Sequence, residues 1–263
     1  MRKWILSDEE KLFFSRVTEL AERCRQRCVP AFTGFLTDRE QAIFQSAAES
    51  VGMRGQTVCF GGYPDAERAI GAFFPDYCFY DGAPSLSGEF PIRALSLVCS
   101  GFREHTHRDY LGSLLGLGVD RSVVGDILVC ESGDAATVFV HEKIVPFFLE
   151  NLKLVGRDGV RVTLASDGEI AGVERRYDEI RGTCHSMRVD AVLAEVLGLS
   201  REKAEKLIAD GSVEIGHCPV TEKSEPVELH DVITVRGYGK YRVDETGDVN
   251  RRGRIRFLIR KYR

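Results

Sequence analysis

The chain has 263 residues, 43% hydrophobic and 29% charged, a balance that excludes a disordered or fibrous protein and suits two or three small domains better than one core. Its net charge of −4 argues at first against a nucleic-acid partner, yet residues 236–263 carry ten Lys and Arg against three acids, a net of +7 that leaves −11 on the rest. A basic end on an acidic body is the asymmetry of a chain with one polyanion-binding face. The opening residues, Met1 to Glu10, hold too short an apolar run for a signal-peptide core and turn acidic at once. No apolar stretch approaches the ~18 residues of a membrane span, so a cytoplasmic protein without a membrane partner is expected. The eight cysteines are scattered and form no CxxC pair; Cys24 and Cys28 would stack on one helical face and read as reduced thiols rather than as half a metal or redox site.

In chain order, residues 1–75 read as a mainly helical N-terminal domain. Ser7-Asp8-Glu9-Glu10 starts a helix with Leu12, Phe13, Val17 and Leu20 at 3- and 4-residue spacings, and Thr37-Asp38-Arg39-Glu40 caps a second helix running to about Ser50. Thr57–Phe60 is a strand closed by Gly61-Gly62-Tyr63-Pro64. Residues 76–166 give strands at Phe90–Cys99, Asp126–Cys130, Ala135–His141 and Val160–Ala165, with helices at His107–Leu117 and Glu142–Leu154. Glu131-Ser132-Gly133-Asp134 is a hairpin turn between the second and third strands. The order strand-helix-strand-strand-helix-strand predicts a ferredoxin-like (split βαβ) middle domain, a pattern shared by RNA-recognition folds, enzymes and ligand-binding domains. The aromatic-rich strand of an RNA-recognition motif is absent; the third strand offers only Phe139. Residues 167–186 are polar and read as a linker or extension, with Arg175, Arg176 and Arg181 on a solvated face.

Residues 187–263 carry the strongest signal. Val192, Leu193, Val196 and Leu197 line one face of a helix. Ser200 caps a second helix, which turns Ala204, Leu207 and Ile208 inward and Arg201, Lys203 and Lys206 outward before Gly211 stops it. Short strands follow near Val213–Ile215, Val232–Arg236, Lys240–Val243 and Ile255–Ile259. Met187-Arg188-Val189-Asp190, Leu193, Ser200-Arg201, Ala204, Ile208, Gly211, Val213, Asp231 and Val235-Arg236-Gly237 resemble the S4 domain in order and spacing over about 50 residues. The resemblance implies helices laid against rRNA or tRNA, with Arg188, Ser200 and Arg201 closest and Lys203, Lys206, Arg236, Lys240 and Arg242 completing the basic surface; Asp190 is expected to serve the helix start and a salt bridge. Two turns depart from the family, with Gly216-His217 where it has Asn-Gly and His230-Asp231 where it has Gly-Asp. His107 to Arg121, running on to Gly125-Asp126-Ile127, together with Phe35–Gln41 and Val235–Tyr241, is similar to the YlmH family and extends the resemblance over nearly the whole chain. It implies an α+β protein of three parts that binds rRNA and peptidyl-tRNA on the large ribosomal subunit and assists C-terminal tailing of stalled nascent chains. Such a protein needs no catalysis, cofactor, metal or small-molecule substrate.

Other motifs lead elsewhere or nowhere. His107-Arg108-Asp109 opens like a kinase catalytic loop, but the position needing a magnesium-binding Asn is Leu114. The glycines at 112, 116 and 118 fit either a close-packed helix end or a backbone cradle for an RNA phosphate, with His107 and Arg108 as a second RNA-contact site. His105 and His107 lack a third metal ligand, and no nucleophile elbow or cofactor-binding glycine motif is visible. An S4-targeted RNA-modifying enzyme and a cell-division scaffold remain the alternatives.

Overall fold

The structure is a computed structural model that describes residues 6–79, 86–101, 103–166, 177–216, 218–250 and 253–262. The chain divides into two compact units, one within Leu6–Arg175 and one within Arg176–Arg263.

In the first unit, helix α1 (Asp8–Arg27) begins at a capping box: Glu10 N donates to Ser7 Oγ at 3.2 Å and Ser7 N donates to the Glu10 carboxylate at 2.8 Å. Helix α2 (Asp38–Ser50) repeats the device with Thr37 and Glu40. Arg39 joins the two helix starts through its Nε, 2.6 Å from Glu10 Oε1. That hydrogen bond, with the cap and the Arg39 charge, holds the Glu10 carboxyl at about 2 against the cost of desolvation.

Beside the two expected helices and the expected strand Thr57–Phe60, the N-terminal segment holds two further strands. Strands β1 (Ala31–Leu36), β2 (Thr57–Phe60) and β3 (Ala69–Phe73) form an antiparallel sheet in the order β1-β3-β2. All five residues of β3 are buried, so it lacks the in-out alternation that marks a half-buried strand. Gly71 lets α2 lie on the sheet, because a Cβ there would meet the Phe44 ring at 2.9 Å.

Strands β4 (Ile92–Cys99), β5 (Val124–Val129), β6 (Ala135–His141), β7 (Leu154–Val155) and β8 (Asp158–Leu164) form an antiparallel sheet in the order β5-β6-β4-β8-β7. Helices α3 (His107–Leu115) and α4 (Val145–Asn151) cover one face, where Leu95, Leu97, Tyr110, Leu114, Val138, Val140 and Phe148 are buried together. Helix α4 is shorter than expected. Glu142–Ile144 is a 3-10 turn, Pro146 sits in the first turn of the helix, and the chain is extended again by Leu152.

The other face of this sheet packs against the N-terminal segment. Ile92, Ala94 and Phe139 share one apolar cluster with Phe35, Ile70, Ala72 and Phe74, so the N-terminal sheet and the middle sheet bury a common core. Tyr63 stacks on Phe139 with ring centroids 4.8 Å apart. Buried Asp126 ties the same seam: it accepts from Tyr63 Oη at 2.7 Å and from the backbone N–H groups of Glu67 at 2.7 Å and Arg68 at 3.0 Å. The Arg68 guanidinium donates to the carbonyls of Val124 and Phe35, and burial pushes its pKa down; burial likewise brings Arg121 down to about 10. Gly62 makes the close approach possible, with φ at +104° and an added Cβ only 2.3 Å from the Phe139 ring. Gly62→Ala combines a strained backbone with a clash and is expected to lower stability by about 2–4 kcal/mol in chemical denaturation; a loss under ~1 kcal/mol contradicts this account of the seam.

The second unit is a six-stranded antiparallel sheet in the order β11-β10-β12-β13-β14-β9 with two helices on one face. Its elements are β9 (Tyr177–Cys184), α5 (Val189–Leu197), α6 (Arg201–Ala209), β10 (Val213–Ile215), β11 (Cys218–Pro219), β12 (Val232–Val235), β13 (Gly239–Val249) and β14 (Ile255–Tyr262). Part of the expected linker over 167–186 is therefore an edge strand: β9 pairs with β14 from Cys184↔Ile255 to Tyr177↔Tyr262. Its residues are mostly polar and its partner is remote in sequence, so local pattern hides it. Arg175 and Arg176 lie outside the described residues.

Helix α5 ends on Gly198 at φ +63°, Ser200 starts α6 at once, and Gly211 at φ +66° stops α6. Val189, Val192, Leu193, Ala204 and Ile208 pack on Val213, Ile233, Val235, Tyr241, Val243 and Ile259 of the sheet. Gly216 and His230 supply left-handed backbone at φ +54° and +68° at the turns that depart from the S4 pattern; His217 lies outside the described residues.

Candidate nucleic-acid interface

The candidate interface lies where two helix starts meet. Arg188 is the N-cap of α5 and Arg201 the first residue of α6. Between them lies Asp190, in the first turn of α5 and wholly buried. Arg188 Nε and Nη2 donate to its two carboxylate oxygens, each at 3.1 Å; Arg201 Nε and Nη2 donate to Oδ2 at 3.1 and 2.8 Å. Burial pushes the Asp190 carboxyl up, but hydrogen bonds and charge from the two arginines outweigh it and hold the pKa below the usual range. The bond to Asp190 in turn raises the Arg201 guanidinium. Both cations remain accessible, Arg188 with 37% and Arg201 with 57% of the side chain exposed.

The surrounding chain fixes this arrangement. Val189 N donates to Glu225 O at 2.9 Å and Val227 N to Met187 O at 2.7 Å, so the 222–227 loop fastens the start of α5. Lys223 pairs with Glu205 at 2.9 Å, and Glu205 lies 3.9 Å from Arg201 Nε. At the start of α6, Ser200 Oγ accepts from Lys203 N at 3.3 Å. An N-cap takes one first-turn amide, and the earlier ones have no partner within the helix. Lys203 and Lys206 are exposed on α6. The ensemble can hold an anion: helix N-termini carry partial positive charge, and guanidinium forks match phosphate oxygens.

The structure separates the other expected cations from this cluster. Arg236 is exposed just after β12, its N–H donating to Ser212 O. Lys240 and Arg242 lie on β13 between inward-facing Tyr241 and Val243, so they occupy the sheet face away from the helices. Arg242 is bound to Asp244 at 2.7 Å and lies over the Tyr177 ring, while Lys240 lies over the Tyr262 ring. Their side chains serve the sheet before any ligand. Sequence reading gave Asp190 a salt bridge but missed that one carboxylate holds both arginines, because the 11-residue separation is closed only by the turn at Gly198.

His107 and Arg108 occupy the first turn of α3, both exposed, behind a capping box of Thr106 and Asp109. His105 turns inward to Asp158 at 3.0 Å. The glycines that followed are the end of α3: the N–H groups of Gly116, Leu117 and Gly118 donate to the carbonyls of Gly112, Leu114 and Leu115. That corrects the phosphate-cradle reading, since these amides are already used. Among the described residues no group of three His, Cys, Asp or Glu side chains converges as metal ligands, and no helix is long and apolar enough to cross a membrane.

Comparison with known proteins fits these two regions. Residues 187–233 match the S4 domain, and residues 88–167 match the family described as "Putative RNA-binding domain in YlmH". The chain is 30% identical over 237 residues to the Ribosome-associated protein quality control protein P2 of Bacillus subtilis (strain 168), a match covering 88% of this chain and 87% of that protein. A solved structure titled "Cell division protein ylmH from Streptococcus pneumoniae" shares the fold with a TM-score of 0.51 at 21% identity, over 64% of this chain and 98% of that one. With the S4 and YlmH domains in place and a relative of this extent, the chain belongs to the YlmH family of S4-domain proteins.

Proposed function

We propose that this protein binds structured RNA of the large ribosomal subunit and acts, without catalysing a reaction, in quality control of stalled nascent chains. The carrying observation is the paired guanidinium site at the starts of α5 and α6, where Arg188 and Arg201 share Asp190 and stay accessible, with Ser200, Lys203 and Lys206 exposed nearby in the chain. The full-length similarity to a ribosome-associated quality control protein supports the ribosome as the source of that RNA. In this reading Arg236 extends the surface, Lys240 and Arg242 contribute little direct contact, and peptidyl-tRNA is the second ligand on the subunit. In this reading the middle domain is ferredoxin-like, which the sheet order β5-β6-β4-β8 supports. Phe139 is covered by Tyr63, so RNA reaches this unit through His107 and Arg108 rather than through an aromatic sheet face.

The test is co-sedimentation of the full chain with purified bacterial large subunits carrying peptidyl-tRNA, followed by crosslink mapping. Binding should be lost steeply between about 50 and 200 mM salt as phosphate counterions are exchanged, with crosslinks at α5 and α6. A chain that stays in the supernatant at the lowest salt sinks the reading. Crosslinks confined to protein, or RNA modified after incubation with a methyl donor, would favour a scaffold or an RNA-modifying enzyme.

A further inference from the structure

Asp190 presents a puzzle of sign. A site for a polyanion has a carboxylate at its centre, wholly buried and bonded to the two cations that the anion would approach. A negative charge there lowers the local positive potential and, on charge alone, weakens any phosphate contact. Geometry points the other way. Asp190 engages Nε and Nη2 of each arginine and neither Nη1 group. A guanidinium has five N–H donors in a fixed plane, so pinning one edge leaves another aimed and unable to swing away. Both long side chains then give up their rotamer freedom when the protein folds, before RNA arrives. The carboxylate itself is fixed by the fold: Ala191 N donates to Oδ1 at 2.9 Å, and the 222–227 loop holds the backbone at Met187, Val189 and Asp190.

We infer that Asp190 is a positioning residue for RNA binding, a buried anion that sets the Arg188 and Arg201 guanidiniums as one preformed clamp for a backbone phosphate. The inference rests on the proposed RNA-binding reading and deepens it at the same site. It makes a prediction whose sign differs from that of simple electrostatics. Asp190→Asn keeps the shape, removes the negative charge and raises the net charge of the surface by one. If charge governs, D190N binds RNA more tightly and with a steeper salt dependence. If positioning governs, it binds less tightly in spite of the added charge.

The experiment measures affinity of the full chain for a synthetic RNA stem-loop across a potassium chloride series, for wild type, D190N, Arg188→Lys and the double variant, with melting temperatures recorded in parallel. Lysine keeps the charge at 188 but cannot make a fork. D190N is expected to weaken binding about five- to tenfold, a range typical of losing preorganisation of one or two long side chains. R188K should weaken it comparably, and the double variant little further, because both changes dismantle the same clamp. R188K also answers the case in which D190N folds poorly, since it leaves Arg201 paired with Asp190. D190N binding as tightly as wild type or more tightly, or R188K and D190N losses that add in full, overturns the inference. A wild-type chain that does not retain the stem-loop overturns both the inference and the RNA-binding reading. A binding wild type with an unimpaired D190N overturns the inference alone.

Discussion

Reversing both clamp charges, Arg188→Glu with Arg201→Glu, is expected to lower affinity for large ribosomal subunits by more than a hundredfold at physiological salt. On the proposed reading each arginine supplies a charge-assisted, fork-shaped contact, and losing such a contact costs about 1.5–3 kcal/mol. Reversal adds repulsion on top of loss, and the two sites share one phosphate environment. The salt dependence should also flatten, since its slope counts the phosphates neutralised. The variant removes both arginine partners of buried Asp190 at once, so folding has to be followed beside binding. Arg188→Gln with Arg201→Gln, which removes charge without adding any, should give a smaller loss in the same direction. Co-sedimentation unchanged from wild type, at a salt where wild type binds partially, would remove α5 and α6 from the interface.

Asp126→Ala is expected to cost the first unit about 3–5 kcal/mol, seen as a lowered calorimetric transition. The reason is asymmetry. Tyr63 Oη and the N–H groups of Glu67 and Arg68 all donate to this one carboxylate. Removing it takes the acceptor from all three donors, and it withdraws the negative charge that offsets desolvation of the Arg68 and Arg121 guanidiniums. Asp126→Asn keeps an acceptor and should lose less. The loss should leave the second unit intact, because Tyr63, Glu67 and Arg68 all belong to the first. A variant within ~1 kcal/mol of wild type would show that water replaces these bonds. The seam buries Phe139 and commits that part of the middle sheet to packing against the N-terminal segment.

How much of this was legible beforehand differs element by element. Helices α1, α2 and α6 were read within a few residues, because each begins with a side chain that caps its own backbone, at Ser7, Thr37 and Ser200. The hairpin at Glu131–Asp134 was equally plain, since Gly133 takes the left-handed conformation that the turn requires. Strands β1, β3 and β9 were not legible as strands. Strand β3 is apolar throughout and β9 nearly polar throughout, and each is a strand because of a partner distant in sequence.

The sequence by itself determined the local signals: caps, glycine stops, helical faces, the basic C-terminal end and the spacing of an S4 domain. Those are short-range properties, governed by hydrogen bonds and packing within a few residues of each position. Tertiary structure alone decided the rest. It joined the N-terminal sheet to the middle sheet through Asp126 and Phe139, drew Tyr177–Cys184 into the C-terminal sheet, and moved Lys240 and Arg242 to the face away from the helices. It also brought Arg188 and Arg201 onto one buried carboxylate. Each of these depends on which distant surface a side chain meets when the core closes, and no pattern confined to one segment carries that information.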